Sequence, residues 1–102
     1  MKNVAQFKKR LVVGQKLHCI RFSTVGFNGV QIPDTDLGIR PLSIVQSNSF
    51  ALETTKENGE KSSSWCDIPK ASQCEFVNEN TIIIYWGEGT NRSKILQYTF
   101  VD

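Results

Sequence analysis

The chain has 102 residues, about one domain's length, which leaves no room for a second core and a linker. Hydrophobic residues make up 39% and charged residues 22%, with three prolines and seven glycines, a balance that excludes collagen-like, low-complexity and strongly disordered classes. Twelve basic against ten acidic residues leave a net charge of +2, too small to mark or to exclude a polyanionic partner.

The first element is a short helix over about residues 3–13. Asn3 can accept from the orphan amides of the first turn, and Gln6 can reach back as in a capping box. Val4, Phe7 and Leu11 fall at i, i+3 and i+7, one narrow apolar stripe. Lys8, Lys9 and Arg10 then sit in the last turn, where cations suit the dipole, and Gly14 can close the helix. A helix of two to three turns does not stand alone, so it must dock on the rest of the domain.

After Gly14 the hydrophobic period changes from helical to two, and residues 16–101 read as β-rich. In the first strand His18, Ile20 and Phe22 share one face, and Leu17, Cys19 and Arg21 the other. Residues 42–46 and 50–55 are further strands. Asn58-Gly59 predicts a hairpin in which both residues take positive φ, and the return strand runs over 61–66. Residues 67–72 read as a single helical turn or tight loop, because Pro69 lacks a ladder amide and Asp67 can cap a turn there. Strands over 73–77 and 81–86 follow, then a loop over 87–92 and a last strand over 94–101. The expected fold is α+β, mainly β: a short N-terminal helix, then a six- to seven-stranded antiparallel meander forming a strongly bent sheet or small barrel.

No secretory signal is expected, since Leu11-Val12-Val13 is broken at once by Gly14. The apolar run Ile82-Ile83-Ile84-Tyr85-Trp86 falls far short of a membrane span, so no membrane association is expected. Cys19, Cys66 and Cys74 are an odd number without framework spacing, which suits free thiols and a cytoplasmic location.

Four candidate sites emerge. Residues 23–39 form the one long connection, either an extra hairpin turning at Asn28-Gly29 or an irregular loop, and Phe27, Asn28, Asp34 and Asp36 are its candidate partner-binding residues. The alternative for this segment is a protruding hairpin with Phe27 and Ile32 packed on the barrel. Asp34 and Asp36 are too few oxygen ligands for a calcium site and read as a solvated acidic turn. His18, Cys19, Cys66 and Cys74 have zinc-ligand chemistry but not its spacing, so no metal and no cofactor is expected, and the cysteines read as small buried groups.

Catalysis lacks a motif. His18 has no marked nucleophile beside it, and no Gly-rich phosphate loop, HExxH or GxSxG pattern occurs, so the chain is read as non-enzymatic. The remaining pattern is basic and aromatic: Lys8, Lys9, Arg10 and Lys16 near the start, Arg92 and Lys94 around the last loop, and Trp65, Tyr85, Trp86 and Tyr98 on adjoining strands. An aromatic platform with a basic rim is how small β-barrels hold single-stranded nucleic acid. The competing interpretation makes the aromatics core and the lysines solubilising.

Four stretches resemble a group of small uncharacterised proteins encoded by phages and mobile elements of Gram-positive bacteria. They are Lys9-Arg10-Leu11-Val12-Val13-Gly14-Gln15-Lys16-Leu17-His18, Gly38-Ile39-Arg40, Ser43-Ile44-Val45-Gln46-Ser47-Asn48-Ser49-Phe50-Ala51-Leu52, and Ser64-Trp65-Cys66-Asp67-Ile68-Pro69-Lys70-Ala71-Ser72. The group carries no established activity, and the resemblance implies an accessory protein that binds rather than catalyses. The expected function is therefore a binding module for nucleic acid, or alternatively an accessory factor that binds a host protein through residues 23–39 or a sheet edge. No feature of the sequence sets the oligomeric state.

Overall fold

A computed structural model describes residues 1–25, 29–87 and 93–101. Helix α1 (Val4–Arg10) is followed by strands β1 (Lys16–Arg21), β2 (Thr24–Val25), β3 (Gln31–Ile32), β4 (Thr35–Val45), β5 (Ser49–Thr55), β6 (Lys61–Asp67), β7 (Cys74–Phe76), β8 (Thr81–Trp86) and β9 (Ser93–Val101). A 3-10 turn, Ala71–Gln73, precedes β7.

Seven strands make one antiparallel sheet in the order β6-β5-β4-β1-β9-β8-β7, and β2 with β3 forms a separate hairpin. The meander comes in two runs, β4 to β6 and β7 to β9, on either side of β1. The sheet must bend strongly. Laid flat, its outer strands would stand about 29 Å apart. Yet β6 and β7 are joined only by residues 68–73, a link that reaches at most about 25 Å. Alternating directions also make β6 and β7 parallel, so no hairpin joins them and the sheet stays open between them.

The concave face holds the core: Phe7, Leu11, Leu17, Cys19, Leu42, Phe50, Leu52, Cys74, Ile82, Ile84, Tyr98 and Phe100. Period-two alternation sends Leu17 and Cys19 inward from β1 while His18 and Ile20 face out. Phe7 is fully buried and meets Phe50 and Phe100 edge-to-face, each at 6.0 Å between ring centroids. Helix α1 thus plugs the sheet with the expected stripe.

The helix begins as expected but ends earlier. Gln6 N–H donates to Asn3 Oδ1 at 2.9 Å, while the Gln6 side chain accepts from the Lys2 amide rather than from Asn3. Leu11 leaves helical geometry at φ −80° and ψ 93°, so the helix covers Val4–Arg10 rather than 3–13. The β4 backbone takes over there: Gly14 N–H donates to Leu42 O, and Leu42 N–H donates to Gln15 O, both at 2.8 Å.

Three turns also differ from the sequence expectations. At Asn58-Gly59 only the glycine has positive φ, at 84°, and Asn58 Oδ1 instead accepts from Glu60 N–H, giving a type I turn with a glycine bulge. Asp67 ends β6 rather than capping a turn, and the 3-10 turn has no side-chain cap. Residues 23–39 are shorter as a connection than they read, because β2 and β3 form a hairpin and Thr35 already belongs to β4.

Candidate functional site

The structure divides the basic residues between two ends of the sheet. Lys16 opens β1 opposite Pro41 and Val101, close to the end of α1 that carries Lys8 and Lys9. Lys94 lies seven residues before Val101 on β9, so about 23 Å separates it from the Lys16 end. Lys8, Lys9 and Lys16 are exposed, and among the described residues none has a carboxylate within ion-pair distance. Arg10 is committed to the fold. Its guanidinium donates to Glu79 O and to Asn80 Oδ1 (3.0 Å for the latter) and stacks 4.2 Å above the Phe100 ring. It ties α1 to the β7–β8 turn.

A cleft of about 790 Å³ lies between the start of α1 and that turn, lined by Gln6, Arg10, Phe76, Val77, Glu79 and Asn80. Two of its polar groups, the Arg10 guanidinium and the Gln6 amide oxygen, already hold protein partners. This hollow is a seam between helix and sheet.

The other end differs. The last residue of β1, the start of β9 and the end of β8 meet there: Arg21 opposes Leu96, Phe22 N–H donates to Ile95 O at 3.0 Å, and Trp86 opposes Ser93. Arg21, Phe22, Lys94, Ile95 and Leu96 line an open hollow of about 300 Å³, floored mostly by carbon. Lys94 Nζ stands 5.8 Å from the centroid of the half-buried Phe22 ring. Trp86, on the neighbouring strand, is 74% exposed. Arg92, expected beside Lys94, lies outside the described residues.

The four aromatics of the expected platform do not share a surface. Tyr98 is core, edge-to-face with Phe50 at 5.7 Å. Tyr85 is buried and donates to Glu75 Oε2 at 2.6 Å. Trp65 is 51% exposed on the edge strand β6, and Trp86 alone of the four is both strongly exposed and on the strand next to β9, opposite Ser93. Phe22 is the residue the sequence reading missed. It sits one position beyond β1, where alternation gave it no distinguishing mark.

Within the 23–39 segment, Phe27 and Asn28 lie outside the described residues. Asp34 Oδ1 accepts the Ser23 amide. Asp36 Oδ1 accepts from Gly38 N–H and from His18 Nε2, each at 2.8 Å. The Gly38 amide, then the His18 ring, hold the Asp36 carboxyl below its ordinary range. This geometry comes from a bulge: Cys19 pairs with Gly38 and Ile20 with Asp36, leaving Leu37 without an opposite residue. Gly38 takes φ 82° there, which a side chain would resist.

No disulfide joins Cys19, Cys66 and Cys74; Cys19 and Cys74 are buried and Cys66 is half-buried. Burial raises the Cys19 thiol to about 11 and raises Cys66 as well. Cys19 faces the core while His18 faces Asp36, so the two adjacent residues are separated by the sheet. Among the described residues no three His, Cys, Asp or Glu side chains gather as a metal site, and no helix is long and apolar enough to cross a membrane. Comparison with protein-family models, with curated proteins and with solved structures gives no match for this chain.

Proposed function

We propose that this chain is a non-catalytic binding module and that single-stranded nucleic acid is its ligand, held at the Arg21–Lys94 end of the sheet. The observation that carries this reading is the juxtaposition of Lys94 above Phe22, with Arg21 beside it and Trp86 exposed on the next strand. Bases need an aromatic or apolar surface to stack on, and their phosphates need cations a few ångströms away. Two carboxylates adjoin this end, Asp34 just before β4 and Asp36 within it, and both hydrogen-bond locally, Asp34 to Ser23 and Asp36 to Gly38 and His18. Lys8, Lys9 and Lys16 supply a second cationic patch that a longer strand would reach.

The test uses intrinsic fluorescence in a Trp65→Phe background, where Trp86 alone reports. Titration with oligothymidylate at low salt is expected to quench Trp86, and Lys94→Ala with Arg21→Ala to weaken the association by at least about tenfold. No quenching and no retention on the oligonucleotide at low salt would reject the proposal.

A further inference from the structure

The two edges of the sheet are unequal. β7 is three residues long, whereas β6 offers seven, Lys61-Ser62-Ser63-Ser64-Trp65-Cys66-Asp67, with no proline and no bulge. Edge strands are ordinarily blunted by such devices, and here the middle of the strand carries none.

The hydrogen-bond parity of β6 is fixed from both ends. Lys56 N–H donates to Glu60 O, and Ile68 N–H donates to Asn48 O, each at 2.8 Å, with no register shift between them. Ser62, Ser64 and Cys66 therefore turn their backbone groups toward β5. Lys61, Ser63, Trp65 and Asp67 turn theirs to the open edge. Of these, the Asp67 carbonyl takes only the Cys66 thiol, at 3.5 Å.

We infer that β6 pairs antiparallel with β6 of a second copy of this chain, about a two-fold axis at Ser64. Parity allows two-fold registers centred on Ser63, Ser64 or Trp65, and only the one centred on Ser64 pairs all seven residues. It also sets Lys61 opposite the partner's Asp67, and Asp67 opposite the partner's Lys61. Lys61 then lies between that carboxylate and Glu53 of its own chain, already 3.0 Å away. Ser63 opposes the partner's Trp65, which makes the two Trp65 rings diagonal neighbours on the convex face, within reach of each other. The half-exposed indole and the unpaired amides are thus covered by one symmetric contact. The Arg21–Lys94 hollow lies three strands away across β5, β4 and β1, so dimerisation and nucleic-acid binding are separable.

Sedimentation equilibrium on the full chain, up to about 0.5 mM, tests this. Wild type is expected to show reversible association to twice the 11.5 kDa chain mass. Ser63→Pro removes an edge amide that bonds nothing among the described residues, so the circular dichroism spectrum stays unchanged while dimerisation weakens at least about tenfold. Asp67→Lys, which opposes lysine to lysine, is expected to weaken it similarly. A wild type that stays monomeric over this range overturns the inference. So does a folded Ser63→Pro chain that dimerises as tightly as wild type, which would place the contact elsewhere, or on a foreign strand.

Discussion

Phe7→Ala tests whether α1 is part of the core or an ornament on it. Phe7 is fully buried against Phe50 and Phe100, with interplanar angles of 76° and 65°. Truncating a buried Phe costs about 3–5 kcal/mol, from lost transfer energy and the cavity left behind. The two edge-to-face contacts push this site toward the upper end. A domain of this size has about 5–15 kcal/mol in all, so one substitution removes at least about a fifth of it. The expected melting-temperature drop is at least about 12 °C, at about 4–8 °C per kcal/mol. Urea unfolding gives the free energy directly, and Lys8→Ala on the exposed face of the same helix is the control, expected within about 0.5 kcal/mol of wild type. A loss below about 1 kcal/mol for Phe7→Ala would refute the claim that α1 closes the core.

Three further outcomes follow from the same geometry. Gly38→Ala has no steric conflict within 4 Å, so its expected cost of about 1–2 kcal/mol comes from positive φ alone, read from the urea midpoint. The lowered Asp36 carboxyl stabilises the fold above its unfolded value, and that contribution is lost as pH falls through the folded one. The stability gap between wild type and Asp36→Asn should therefore narrow as pH falls into acid below about 4. Cys19 behaves in the opposite sense: its contribution is complete below 9.0 and declines as pH rises toward 11. At pH 8 its folded thiol carries about 100-fold less thiolate than an ordinary one, so labelling should be slow until the chain unfolds.

Much of the fold was written in local pattern. The alternation at Leu17 and Cys19 against His18 and Ile20, and the Phe7 stripe, named core residues directly, because burial on one side of an element enforces a period. The start of β4 was hidden because the Gly38 bulge breaks that period and makes 35–38 look like loop. Turn type at Asn58 was missed because a side-chain hydrogen bond to Glu60 competes with left-handed backbone there. The site was less legible still. Nothing local says that β9 pairs with β1, and that pairing alone puts Lys94 far from Lys16 and beside Phe22. Nor does the sequence mark Arg10 as the residue that pins α1 to Glu79 and Asn80, 69 and 70 positions away.

The most direct test of the binding reading is the salt dependence of oligothymidylate affinity, measured by fluorescence anisotropy for wild type and the Arg21→Ala, Lys94→Ala double variant. Each phosphate contact on a single strand contributes about 0.7 to the slope of log K against log salt. The proposal predicts measurable binding at low salt and a slope shallower by about 1.4 in the variant. An identical slope in both proteins, or no binding by wild type, would contradict it.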